Sequence, residues 1–236
     1  MTALVVIPAR GGSKGIPRKN LLAVGGKPLI AWTIAQALEA QEDGAEVIVA
    51  VSTEDAEIAE VAAAHGARVI ERPAELATDT APTEPTVLHA MDVVEAEGTV
   101  LDAVVLLQAT SPVRRPATIR RALAQFRASG ADSLVGVVGE SPFFWRLPSA
   151  PGESAEAAYD VTARPRRQEL RPEQLHYFEN GSLYVTAPPI YRDHGNRIGG
   201  RVDLFVLDEV EGVDIDTLAD VAAAESMLAR LGWRTE

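Results

Sequence analysis

Short, continuous apolar runs alternate with amphipathic stretches along the first two-thirds of the chain. Leu4–Pro8 (LVVIP) reads as a buried strand, and across Pro28–Glu39 the apolar positions Ile30, Ile34, Ala37 and Leu38 fall on one helical face. Glu46–Val51 reads as a second strand, followed by an alanine-rich helix from Asp55 to His65 that Gly66 stops. Ala67–Ile70 is a short third strand. A helix over Thr86–Ala96 precedes the strand Ala103–Leu107, and one over Ala117–Ser129 precedes the strand Asp132–Val138. Uninterrupted apolar strands separated by helices predict an α/β chain with a parallel sheet covered on both faces. The rhythm lapses after Gly139. Residues 140–180 are irregular, contain several prolines and carry the basic run Arg164–Arg167, so they read either as a surface insertion or as an arm that completes a partner subunit. Regular patterning returns at Ser182–Thr186, Val202–Leu207 and a closing helix over Leu218–Leu231.

With 236 residues the chain fits one large α/β domain, so 1–236 is read as a single domain with 140–180 inserted in it. Its 47% hydrophobic and 24% charged residues argue against disorder. Charge changes the picture more: 22 basic against 34 acidic side chains leave a net −12. That field repels phosphate backbones and argues against a nucleic-acid partner. Any anionic ligand must instead be captured by a local basic cluster. The absence of cysteine removes disulfides, a thiolate nucleophile and Cys-based metal sites, and the four histidines form no HExxH pattern. No apolar run approaches the ~18 residues of a membrane span, and the N-terminus lacks the basic flank of a signal peptide. The expectation is a soluble, cytoplasmic protein with no membrane partner.

The densest chemical signal directly follows the first strand: Pro8-Ala-Arg-Gly-Gly-Ser-Lys-Gly-Ile-Pro-Arg-Lys-Asn20. Gly11, Gly12 and Gly15 free the backbone to curl around an anion, and Arg10, Lys14, Arg18 and Lys19 place four cations beside it. The segment is neither GxxxxGK[ST] nor GxGxxG, since Ser13 holds the second glycine position of the latter. Gly11–Gly15 does match the GxSxG nucleophile elbow, but the polar, aperiodic Ile16–Asn20 offers no helix at the required place. A second signal is Val213-Asp-Ile-Asp-Thr217. On an extended strand Asp214 and Asp216 would share a face opposite Ile215, a pairing that suits a hard divalent cation. The plainer reading of the same residues is strand-end chemistry leading into the helix-capping box Thr217–Asp220. Gln108, Thr110 and Ser111, after the buried strand 103–107, lie at a ligand-binding edge or in an ordinary strand-to-helix turn. In the polar stretch Glu71–Thr83, Arg72 and Thr83 could read a base and a ribose.

Taken in order, IPARGGSKGIPRKN, ERPAELATDTA, LLQATSPVR, RRQ…ENGSLY and VDIDT resemble the motifs of the acylneuraminate cytidylyltransferases, the CMP-sialic acid synthetases, from Ile7 to Thr217. The resemblance implies a three-layer α/β/α sandwich of the nucleotide-diphospho-sugar transferase (Rossmann-like) type. It also implies CTP and a nine-carbon 2-keto sugar acid as substrates, Mg²⁺ or Mn²⁺ as cofactor, and a homodimer built through the 140–180 arm. By the same resemblance, Arg10, Gly11, Gly12, Ser13 and Lys14 face the triphosphate. Lys19 and Asn20 flank the transferring phosphorus, Arg72 and Thr83 hold cytidine, Gln108 and Tyr184 touch the sugar acid, Arg167 reaches it from the neighbouring subunit, and Asp214 and Asp216 ligate the metal. No residue is assigned as general base.

The acceptor half departs from the pattern expected of N-acetylneuraminate enzymes. Glu140–Leu147 lacks the expected lysine, Asn196–Arg201 lacks the expected phenylalanine pair, and Arg171–Gln174 reads as a short insertion. Legionaminate, pseudaminate, 3-deoxy-octulosonate or a small phosphonate therefore stay open as acceptors. Two readings of other classes are a GxSxG hydrolase and a CTP-binding module without turnover.

Overall fold

A computed structural model describes residues 1–13, 15–41 and 46–233. Seven strands make one sheet: β1 (Thr2–Pro8), β2 (Glu46–Thr53), β3 (Arg68–Glu71), β4 (Ala103–Leu107), β5 (Ser133–Glu140), β6 (His176–Thr186) and β7 (Val202–Leu207). Their order is β7-β5-β6-β4-β1-β2-β3. All pairings are parallel except those of β6, which runs against both β4 and β5. The sheet is thus mostly parallel, as expected, with β6 as its one antiparallel strand, which the apolar runs alone did not distinguish.

Six α-helices accompany the sheet among the described residues: α1 (Leu29–Glu39), α2 (Ala56–Ala64), α3 (Glu84–Glu95), α4 (Thr118–Ser129), α5 (Pro188–His194) and α6 (Leu218–Arg230). Strand alternation sorts β1 between two cores. Ala3, Val5 and Ile7 pack with α1, α2 and α4 through Ile34, Ile58 and Phe126. Leu4 and Val6 pack with α3 and α5 through Val87, Met91 and Tyr191. The result is a three-layer α/β/α sandwich of Rossmann-like type, as expected. Helix α6 lies outside this scheme. Its Ala224 and Leu228 join Trp32 of α1, Ile16 and Ile215 in a third core beneath the carboxyl edge of the sheet.

Three boundaries differ from the sequence pattern. Strand β6 starts at His176, not Ser182, because it continues past a register shift between Glu179 and Tyr184, with Gly181 at φ +76°. The chain leaves the sheet at Glu140 and re-enters at the paired His176, so the excursion is shorter than 140–180. Inside it, the two-stranded pair Trp145–Arg146 and Glu156–Ala157 lies beside the Arg164 guanidinium, which rests 4.3 Å from the Phe143 ring centre.

The third difference concerns the paired aspartates. Residues 213–217 form no strand, because no neighbouring ladder is available to them: the short helical turn Glu209–Gly212 ends just before, and α6 begins just after. One backbone bond, Ile215 N–H to the Thr110 carbonyl at 2.8 Å, ties the segment down. The expected alternation nonetheless survives, with Ile215 fully buried and Asp216 exposed. Ile215 is therefore the anchor of this segment. We expect Ile215→Ala to cost about 2–5 kcal/mol of stability through the cavity it leaves, read as a lower urea midpoint at unchanged slope.

Candidate active site

The loops that follow β1, β2, β3 and β4 all emerge at the carboxyl edge of the sheet, where open α/β folds bind ligands. Those after β1, β3 and β4 enclose a cleft of about 420 Å³. Of the residues singled out from the sequence, Arg10, Gly12, Ser13, Lys19, Asn20, Arg72, Thr83 and Gln108 line it. Lys14 lies outside the described residues.

The 9–22 loop is held by specific local contacts. Arg18 sits in the left-handed region at φ 58°, an uncommon conformation for a side chain of its size. Its guanidinium is clamped to Asp55 and Glu57 at the start of α2. Asp55 also caps α2, accepting from the Ile58 N–H at 3.0 Å. A Cβ on Gly11 would lie 2.3 Å from the Asp55 carboxylate, so only glycine lets the loop pass here. Arg18, one of the four cations expected beside an anion, is thus a structural clamp. Gly11 is committed as well: its N–H donates to Glu54 at 2.8 Å, and it does not line the cleft. Asn20 holds the loop from within, its amide donating to the Arg10 carbonyl at 3.0 Å.

Two of the cleft cations are paired with acids of the chain itself. Arg10 donates to the Thr78 carbonyl at 3.0 Å and pairs with Asp79 at 2.9 Å. Lys19 donates to the Ile215 carbonyl at 2.7 Å and pairs with Asp216 at 3.1 Å. The Asp216 side chain is 77% exposed, and pairs of this kind contribute about 0–1 kcal/mol, so a polyanion or a cation displaces them at small cost. Arg72 is buried, its guanidinium on the carbonyl and hydroxyl of Ser52. Burial lowers its pKa below the ordinary guanidinium value, Glu54 opposing and the like charge of Arg10 assisting.

Neither aspartate of the pair lines the cleft, and Asp216 is tied to it through Lys19. Ser111 is fully buried and donates to Asp214 at 3.2 Å, so it supports a carboxylate and does not face the cleft. The capping alternative falls to Asp220, which accepts from the N–H groups of Asp216 and Thr217 at 3.0 and 2.7 Å and leaves the Asp214 and Asp216 carboxylates out of the cap. No cluster of three or more His, Cys, Asp or Glu with ligand geometry occurs among the described residues. Two carboxylates with the Lys19 ammonium resting on one of them fit a hard divalent cation whose remaining ligands are phosphate and water.

Two expected acceptor residues lie elsewhere. Tyr184 is 2% exposed in the core shared with α3, and its hydroxyl is donated to Glu179. Burial first and Glu179 second push its phenol well above the ordinary value of 10. Arg167 lines a second hollow at the root of the 140–175 excursion, with Phe143, Phe178 and Glu209. The sequence reading missed Glu54 and Asp79, which compete for the anion loop, although Asp79 lies within the polar stretch Glu71–Thr83. It also gave no role to Arg114, the last residue of LLQATSPVR.

The cytidylyltransferase family matches residues 4–181. The chain belongs to the cytidylyltransferase family. It is 37% identical to a CMP-N,N'-diacetyllegionaminic acid synthase of Legionella pneumophila, over 97% of both chains. It is 33% identical to N-acylneuraminate cytidylyltransferase A of Danio rerio over 97% of this chain, but spans only 51% of that protein. An N-acylneuraminate cytidylyltransferase of Streptococcus agalactiae is 29% identical and is likewise about half covered, at 52%. In fold, the chain is similar to a CMP:2-keto-3-deoxy-manno-octonic acid synthetase complexed with CTP. That likeness has a TM-score of 0.65 at 20% identity, over 98% of this chain and 99% of the other.

The Arg18–Asp55 clamp gives the 9–22 loop a pH signature. Hydrogen bonding from Arg18 lowers the Asp55 pKa below its ordinary 3.8, against the effect of burial. A carboxylate depressed in the folded state stabilises above its unfolded value and loses that contribution as pH falls through the folded one. Urea midpoints measured from pH 5 downward should therefore fall through 3.8 and below, and Asp55→Asn should flatten that part of the curve.

Proposed function

We propose that this chain transfers CMP from CTP to the anomeric hydroxyl of a nine-carbon 2-keto sugar acid and releases pyrophosphate. The observation that carries the reading is a glycine-rich cationic loop lining one cleft, with Lys19 of that loop resting on Asp216. Arg10 and Lys19 face the space a triphosphate would fill, and Asp216 meets Lys19 at its edge. The names of the relatives support an N-acylneuraminate or legionaminate-like acceptor. The Legionella synthase, matched along nearly its whole length, favours the second.

In this reading the acceptor oxygen attacks the α-phosphorus in line, its bond to the β-phosphate breaks, and the acceptor proton leaves with solvent. The protein positions reactants and supplies fixed charge. Arg10, Gly12, Ser13 and Lys14 hold the phosphates, while Lys19 and Asn20 stand beside the transferred group. Arg72 and Thr83 hold cytidine, and Gln108 orients the acceptor. Mg²⁺, or Mn²⁺ in its place, would be held by Asp214 and Asp216 and would neutralise phosphate charge. The Lys19 ammonium, held by Asp216 through one pair, would exchange that partner for the triphosphate.

A homodimer belongs to the same proposal. The excursion exposes Phe144 and Trp145 by 44% and 56%, the apolar surface expected of a subunit contact. Arg167 would then serve the neighbouring cleft. No helix among the described residues is long and apolar enough to cross a membrane, and the cytoplasm, which holds CTP, is the proposed compartment.

The decisive assay is pyrophosphate release from CTP with a divalent metal and a panel of acceptors: N-acetylneuraminate, legionaminate, pseudaminate, 3-deoxy-octulosonate and small phosphonates. We expect turnover with a nine-carbon acid, cut about 10²-fold or more by Asp216→Asn and changed only a few-fold by Ser13→Ala. Loss of activity in Ser13→Ala with Asp216→Asn unaffected would transfer the reading to a hydrolase. CTP binding without release for every acceptor would leave a nucleotide-binding module.

A further inference from the structure

Arg114 closes the LLQATSPVR segment and is fully buried. Its Nη2 donates to the carbonyls of Ser182 and Gln108 at 2.6 and 3.2 Å. Nη1 donates to Gln36 Oε1 at 2.9 Å and to Thr33 Oγ1 at 3.3 Å on α1, and Nε has no partner. Among the described residues these partners are all neutral, while Glu211 and Asp214 act on the guanidinium only through space. Burial depresses its pKa to about 10, which leaves it cationic at neutral pH.

Keeping an unneutralised charge inside a protein is costly, and an apolar side chain of similar volume often stabilises more. Stability alone therefore gives no reason for an arginine here. What arginine supplies is a rigid planar fork that fixes several acceptors in one geometry. Here the fork joins the end of β4, the irregular part of β6 and the face of α1.

Two side chains, one of them in the cleft, depend on that junction. Gln108, whose carbonyl Arg114 holds, lays its side chain over Gly181, so closely that a Cβ there would lie 2.8 Å from Gln108 Oε1. Ser111, on the same short turn, donates to Asp214. The turn is closed from outside by the Trp233 indole, which donates to the Arg114 carbonyl at 2.7 Å.

We propose that Arg114 is a positioning residue that fixes the peptide frame 108–114, so that Gln108 faces the cleft while Ser111 faces Asp214. It touches no reacting atom and acts through Gln108 on the acceptor side. The proposal rests on the transferase reading above.

The test is a double-mutant cycle on the full chain, with KM for the acceptor and for CTP measured separately. Arg114→Met should raise acceptor KM about tenfold or more while CTP KM stays within about twofold. Gln108→Ala should do the same, and the double variant should be little worse than either single one. Arg114→Lys keeps the charge without the planar fork and should also show the raised acceptor KM. It serves in place of the methionine variant if that chain does not fold. The proposal is overturned if the two effects multiply, or if Arg114 variants lose only kcat, in proportion to the folded fraction seen by circular dichroism. A wild-type chain without CTP-dependent turnover would instead remove the transferase reading itself.

Discussion

The seven parallel pairings that zip β1 to β2, from Thr2 with Glu46 to Pro8 with Ser52, decide where everything at the cleft can stand. They place the end of β1 beside the end of β2, so the 9–22 loop rises against Glu54, Asp55 and Glu57. Those acids are not incidental to a cation-rich loop. Gly11 gives its N–H to Glu54, Arg18 is held by Asp55 and Glu57, and the left-handed turn at Arg18 persists because that clamp determines it. Strain in one residue is held by the capped terminus of the neighbouring helix, which in turn is held by the sheet.

The same logic explains how a chain of net charge −12 offers a site to a polyanion. Two of its cleft cations are kept in place by carboxylates that are themselves solvent-exposed, Arg10 by Asp79 and Lys19 by Asp216. A ligand that brings its own negative charge exchanges partners and does not have to order free side chains, so less side-chain entropy is lost on binding.

Much of this was legible in the sequence, for identifiable reasons. The buried strands are written as unbroken apolar runs, and the Asp214-Ile215-Asp216 alternation announced which side chains face out even though no strand forms there. The cationic loop was legible as composition, but its wiring was not. Which cation meets which acid depends on residues 37 to 197 positions away, as for Arg18 with Asp55 and Lys19 with Asp216. Tyr184 shows a different limit. The register shift after Glu179 resets which side chains of β6 turn inward, and no local pattern around Asn180-Gly181 fixes the outcome. Arg114 was invisible as an interior residue, because arginine is ordinarily a surface residue and its partners come from α1, β4 and β6.

Strand β6 runs against its neighbours, so its beginning, not its end, stands at the ligand edge. Chain leaving β5 at Glu140 returns to the sheet at His176, directly opposite. Residues can therefore be added to or removed from this excursion without shifting the register of any strand, and each doubling of such a loop costs only about 0.6 kcal/mol. The loops after β1, β2 and β3 have no such freedom, being wired to one another through Arg10, Arg18 and Arg72. The architecture thus joins a part whose wording is fixed to a part that is cheap to rewrite, and relatives sharing the first can drift apart in the second while the sheet between them stays unchanged.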